Sequence, residues 1–313
     1  MIRLKRFAPF AVALVFALPL PAAASLIQDT PFFQEFSGTG LGAVNTVLTV
    51  VHRDRANLDT TYGTPAQWPK AGFPYRDQAT FERSMKRLLA PLVPSLDAGR
   101  RVWVQCENEI GDASIAPQSA YWRGTTDQYL SLLAACRHAA RAVDHRFVVV
   151  MSSFASESLD AALDPANPHH GYAAGRLEHM LNDGTYDAVD LHFYGCVDSI
   201  AAKVAWVDAR RHDHTRWIST ENSGPDPRCP QTPISWRTDL ARFEQVEAQQ
   251  VPARLRACVQ NGGSVCLWFS LLDLKHEVDT FNHLGLLDPR VSPPRHKPAY
   301  DAFRRFVVTG SPA

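Results

Sequence analysis

Short apolar runs alternate with segments of helical periodicity along this chain. Residues 46–52 (Thr-Val-Leu-Thr-Val-Val-His) are β-branched and apolar, and predict a strand. A loop rich in Pro, Gly and Tyr runs from Leu58 to Tyr75. Residues 80–90 then carry Phe81, Met85, Leu88 and Leu89 at helical spacing. The next strand, 102–108, is entered from a Gly-Arg-Arg loop and ends in Asn108-Glu109. Thr126 or Asp127 can cap a helix whose apolar face holds Tyr129, Leu132, Leu133 and Cys136. The rhythm repeats, with strands at 147–151, 188–193, 216–220 and 264–269 and helices at 174–182, 199–211, 236–261 and 298–307. Pro252 predicts an interruption of the long helix and Gly262-Gly263 its end, while Pro298 suits a first helical turn.

Apolar strands separated by helices are the pattern of a parallel sheet covered by helices, in the α/β class. No internal repeat, low-complexity tract or linker interrupts it, so residues 25–313 read as one domain. Only residues 25–44 stand between the leader described below and the first strand. That is too short for two further crossover units.

Composition changes the picture in three ways. With 313 residues and 45% hydrophobic content, the chain can bury a large core. Lys+Arg and Asp+Glu balance at 32 each, which argues against a nucleic-acid partner and an acidic disordered tail. The N-terminus has a basic start (Arg3, Lys5, Arg6), an apolar run from Phe7 to Leu20 and small residues at Ala22-Ala23-Ala24. It reads as a signal peptide over residues 1–24. Nothing else in the sequence could span a bilayer, so the mature chain is expected to be secreted or periplasmic and off the membrane. The six cysteines then become candidates for disulfides. Cys196 and Cys229 each follow a strand and are the favoured pair, whereas Cys106 and Cys136 read as buried thiols.

The candidate chemistry sits at strand ends. Glu109 closes one strand and Glu221 another, in Thr220-Glu221-Asn222. Parallel strands of a barrel bring all their C-terminal ends to one face. Two carboxylates on one face can hydrolyse a glycosidic bond, one as proton donor and the other on the opposite side of the sugar. Glu107, just before the motif, is expected to point out of the barrel. His169-His170 and His212-x-His214 read as solvated loop residues, so no metal site is expected. Tyr121 and Trp122 suit either a sugar subsite or loop packing.

Trp103 and Asn108-Glu109, then His192-Phe193-Tyr194, Thr220-Glu221 and Trp268, recur in this order. So does the tail from Gly285-Leu286-Leu287 to Lys297-Pro298-Ala299-Tyr300. Over about residues 45–308 the pattern resembles the large clan of retaining glycoside hydrolases built on (β/α)8 barrels. That clan includes cellulases, mannanases, xylanases and β-xylosidases. The resemblance implies a TIM-type barrel, incomplete at its N-terminus, with six clear βα units. It implies Glu109 as general acid/base at the end of the fourth barrel strand and Glu221 as nucleophile on the seventh. Asn108 would bind the sugar 2-hydroxyl, and Tyr194 would hydrogen-bond the nucleophile. His52, His192 and Trp268 complete the substrate-binding set, with Trp268 as an aromatic floor. Ile110 stands where the clan usually has proline. The clan also sets an arginine beside the nucleophile, for which Arg53 and Arg55 are the candidates. A carbohydrate substrate, no cofactor and a monomer are the corresponding expectations. A second reading is a catalytically inactive barrel that binds glycans.

Overall fold

The computed structural model describes residues 45–111, 119–273 and 280–309. The expected leader lies outside these residues. Six strands lie side by side in sequence order, every neighbouring pair parallel: β1 (Thr46–Val50), β2 (Val102–Cys106), β3 (Val148–Phe154), β4 (Ala188–Leu191), β5 (Arg216–Asn222) and β6 (Cys266–Trp268). Among the described residues β1 and β6 do not pair with each other, so the sheet is an incomplete barrel wall.

Helices connect consecutive strands. After β1 come α1 (Gln78–Leu89) and the short α2 (Val93–Asp97); after β2 comes α3 (Thr126–Val143). β3 is followed by α4 (Ser156–Leu163) and α5 (His170–Asp183), β4 by α6 (Ser199–Asp208), and β5 by α7 (Leu240–Gln260). A small hairpin, β7 (Leu287–Asp288) and β8 (Arg295–His296), precedes α8 (Pro298–Thr309). Local chemistry sets the starts. Asp77 caps α1 by accepting from the Thr80 amide, and Thr125 with Gln128 forms a capping box on α3. Asp239 caps α7, which therefore begins at Leu240 rather than at 236.

Side chains alternate across the strands. Val102, Val104 and Cys106 face the helices and join the main core with Leu132, Leu133 and Phe147. Trp103, Val150, Ala188, Ile218 and Leu267 form a second cluster on the inner face.

Two expectations are corrected. The long helix continues through Pro252. Val251, Arg254 and Leu255 are buried on either side of the proline, and this packing overrides its tendency to break the helix. Cys106 and Cys136 form a disulfide between β2 and α3, with Cα atoms 6.6 Å apart, rather than remaining thiols. A further bridge, Cys258–Cys266, ties α7 to β6. The favoured pair Cys196–Cys229 is present.

Behind the sheet, Lys297 is buried between Glu247 of α7 at 2.8 Å and Asp273 at 3.0 Å, and donates to the His283 carbonyl. Arg295 reaches Glu244 and Asp288 beside it. These pairs fasten the C-terminal hairpin and α8 to α7.

Candidate active site

The β2 strand ends at Cys106, and the next three residues make a tight turn. Glu107 has φ +74° and Glu109 φ +46°, both in the left-handed region that side chains rarely adopt. Two serines at the end of β3 hold the turn. Ser153 Oγ accepts from the Glu109 amide at 2.8 Å and donates to Asn108 Oδ1 at 2.9 Å. Ser152 Oγ accepts from the Ile110 amide at 3.2 Å. Adjacent residues can both face the turn because the register of β3 shifts between Met151 and Phe154.

Glu221 arrives from β5, whose register shifts between Ser219 and Asn222. The irregularity brings neighbouring Thr220 and Glu221 to the same centre. That centre is His192, just past the end of β4 and wholly buried. Its Nδ1 lies 2.8 Å from Glu109 Oε1 and 3.4 Å from Glu221 Oε2. Its Nε2 lies 3.2 Å from Thr220 Oγ1 and 3.3 Å from Asp190 Oδ2. Donor atoms of Glu109, His192 and Glu221 all fall within 4.8 Å of one another. Tyr194 donates its hydroxyl to Glu221 Oε2 at 2.5 Å.

Electrostatics follow from these contacts. Burial pulls the His192 imidazole down, but the charges of Glu221 and Asp190 and the hydrogen bonds to Asp190 and Glu109 outweigh it. The net result is a proton held well above the usual histidine range, so His192 is an imidazolium at neutral pH. Burial raises the Glu221 carboxyl, and Glu109 and Asp190 add to this, while His192 and the Tyr194 hydroxyl oppose it. Burial and the Glu221 charge push the Tyr194 phenol well up, keeping its proton available to donate.

A second layer fixes the strand ends. Ser156 Oγ accepts from the Tyr194 amide at 3.2 Å and from the buried Lys203 Nζ at 2.7 Å, and donates to the Tyr194 carbonyl at 3.0 Å. Arg254 of α7 is also buried, and donates to the carbonyls of Phe193 and Gly195. Burial lowers its pKa to about 10, against the partial opposition of Asp226. Lys203 and Arg254 lie within helical segments. Their only sequence signal is a basic residue on an otherwise apolar helix face.

Of the residues singled out from sequence, Glu109, Glu221, His192, Tyr194 and Asn108 come together. His192 lies between the two glutamates rather than lining open space. His52 sits elsewhere: its Nδ1 meets the Phe73 carbonyl at 2.8 Å, and its ring packs edge-on against Phe81. Trp268 packs with Val251, Leu255, Leu286, Ala299 and Phe303, and donates Nε1–H to the Leu284 carbonyl at 2.9 Å. That is the helix side of the sheet. Trp122 is wholly buried and donates to the Thr125 carbonyl, as a loop-packing residue does. Arg53 acts electrostatically on Glu107, and Arg55 is exposed. The cation beside the nucleophile candidate is therefore His192.

Glu107 is a correction. It is buried with no exposed surface, not pointing outward. Its left-handed turn just past β2 aims the carboxyl at the β1 end, where it meets the His52 amide.

No family model matches the chain, and no curated protein matches it. Solved structures do. The GH53 catalytic domain of Ignisphaera aggregans aligns with a TM-score of 0.53 and 15% identity, over 87% of this chain and 77% of that one. A GH5_18 protein of Bifidobacterium longum subsp. longum, in complex with Manβ1-4GlcNAc, aligns with a TM-score of 0.56 and 13% identity, over 86% and 62%. A glucosidase from Croceicoccus marinus aligns with a TM-score of 0.54 and 14% identity, over 88% and 53%. The chain thus spans about half to three quarters of the length of these structures. At such identities the likeness is one of fold: six strands of a TIM-barrel wall of the kind found in glycoside hydrolases.

Proposed function

We propose that this chain is an exported glycoside hydrolase that cleaves O-glycosidic bonds of a poly- or oligosaccharide with net retention. One observation carries the reading. Carboxylate oxygens of Glu109 and Glu221 lie within 4.8 Å of each other across a shared imidazolium. Retaining enzymes hold their carboxyls about 5–5.5 Å apart, whereas inverting ones need about 6.5–9.5 Å to admit a water. The three disulfides support an oxidising destination.

In the first step Glu109 gives its proton to the leaving oxygen as that bond to the anomeric carbon breaks. Glu221 attacks the same carbon and forms a glycosyl ester. Tyr194 and His192 hold Glu221 ionised and aimed until then. In the second step Glu109, now a carboxylate, takes a proton from water, whose oxygen displaces Glu221. Asn108, anchored by Ser153, presents its amide toward the sugar ring beside the acid. His192 takes the electrostatic place that an arginine from an earlier strand would fill.

The test is covalent trapping. A panel of 2-deoxy-2-fluoroglycosyl fluorides is incubated with the protein, and the peptide containing Glu221 is examined by mass spectrometry. Addition of one fluorosugar on Glu221, absent in Glu221→Gln, is expected. Turnover of a glycoside with no adduct on Glu221 would remove the retaining mechanism. The six-stranded wall favours one competing reading, a glycan binder without turnover. That reading predicts glycan binding, no adduct and no loss of binding in Glu221→Ala.

A further inference from the structure

Glu107 takes no part in the chemistry above, yet it is a fully buried acid two residues from Glu109. Its Oε1 accepts from the His52 amide at 2.7 Å, just beyond β1. Its amide donates to the Val50 carbonyl at 2.9 Å, so both its backbone and its side chain are tied to the β1 end. Its Oε2 is buried and has no hydrogen-bond partner. The slot exists because residue 72 is glycine. A Cβ there would stand 1.8 Å from Glu107 Oε2, closer than any two such atoms can approach. Gly72 is itself locked to the next loop, its amide donating to the Tyr121 carbonyl and its carbonyl accepting from the Arg123 amide.

We propose that Glu107 is a positioning residue for Glu109, an assignment that rests on the retaining-hydrolase reading. The turn 107–109 contains two left-handed residues, which cost free energy unless neighbours fix them. Ser153 holds the turn from the β3 side and Glu107 holds it from the β1 side. With both in place, Glu109 Oε1 is kept 2.8 Å from His192 Nδ1. Burial raises the Glu107 carboxyl well above the usual range, with the His52 amide and Arg53 only partly opposing it. The group therefore sits in its slot as the neutral acid, a shape and charge that glutamine reproduces. Alanine keeps neither the acceptor for His52 nor the bulk under Gly72. Leucine keeps bulk without the acceptor.

The test uses the full chain and two readouts. The first needs no substrate: the imidazole nitrogen signals of His192 in 15N-histidine-labelled protein. Glu107→Ala is expected to shift them as Glu109 leaves Nδ1, and Glu107→Gln to keep the wild-type values. Should the alanine variant not fold, Glu107→Leu serves in its place. A folded Ala or Leu variant with wild-type His192 signals overturns the proposal. The second readout is kcat/KM, which reports the glycosylation step, on aryl glycosides of differing leaving group. Loss of a well-placed general acid lowers kcat/KM on a phenyl glycoside by about 100-fold or more. A 2,4-dinitrophenyl glycoside needs no protonation, so the same variant should lose less than about tenfold there. Azide should then accelerate release of the sugar, and the Gln variant should recover most of the phenyl-glycoside rate. Equal losses on both substrates overturn the proposal, since a merely structural role does not discriminate leaving groups. If the wild type turns over no glycoside, the hydrolase reading fails, while the His192 signals still decide whether Glu107 places Glu109.

Discussion

At the scale of single residues, the decisive group is His192. It is a buried cation shared by three carboxyl groups, those of Glu109, Glu221 and Asp190. Replacing it with glutamine keeps a polar side chain of similar length but removes the charge. Glu221, already raised by burial, then loses its main opposing charge and rises further. The acidic limb of the kcat/KM profile, set by ionisation of Glu221, should therefore move to higher pH in His192→Gln, by about one unit or more. An unmoved limb would mean that His192 does not hold Glu221 ionised. Stability gives an independent check with a definite sign. A histidine whose native pKa is raised stabilises fully below its unfolded value of about 6.5 and loses that contribution as pH rises through the native value. The gap in thermal midpoint between wild type and His192→Gln should accordingly be widest in mildly acidic buffer and narrow in alkaline buffer.

At the scale of elements, the disulfides and the Lys297 cluster decide what holds the barrel wall to its helices. The Cys106–Cys136 bridge closes a sequence separation of 30 residues and Cys258–Cys266 one of 8. On loop entropy alone these correspond to about 3.6 and about 2.5 kcal/mol. Replacing both cysteines of a pair by alanine should cost more for the β2–α3 bridge than for the α7–β6 bridge, as measured by denaturant midpoints. The reverse order would indicate that native packing, not chain entropy, dominates. Lys297→Met leaves Glu247 buried without its cation, while Asp273 keeps Arg290 at 3.3 Å. Breaking a buried pair in this way costs about 3–5 kcal/mol. Burial raises the Glu247 carboxyl well above its usual range, so acid neutralises it readily. The penalty of Lys297→Met should hence shrink as pH falls, and Lys297→Met/Glu247→Leu should recover most of it at neutral pH. The sequence offers six candidate cysteines but neither these two pairings nor the Lys297 cluster, because the partners come from segments whose distance along the chain says nothing of their contact. What the sequence did show was the strand–helix rhythm and the acids at the strand ends, both local patterns. Elsewhere local rules compete. Ser156 and Ser158 mask the short helix α4. The resemblance implies Trp268 as an aromatic floor, whereas its ring packs among residues of α7 and α8.

At the scale of the whole molecule, the unusual feature is a barrel wall whose two outermost strands, among the described residues, each have one partner. A closed barrel has no edges, and the active carboxyls come from β2 and β5, each flanked on both sides. The two acids therefore sit in the interior of the wall, while β1 and β6 are its margins. This makes a prediction about β1 that can be read residue by residue. The Thr46 amide donates to the Arg101 carbonyl at 2.9 Å, and the Val50 carbonyl accepts from the Glu107 amide. In a parallel ladder alternate amides point to opposite sides. The amides of Thr46, Leu48 and Val50 face β2, while those of Val47 and Thr49 face the open margin. Native-state hydrogen exchange should show Val47 and Thr49 exchanging far faster than Leu48 and Val50, whereas successive residues of β3 and β4 are protected alike. Equal protection along β1 would mean that another backbone is paired with that margin in solution. The wall would then extend beyond six strands, and the competing binder reading would lose the observation that favours it.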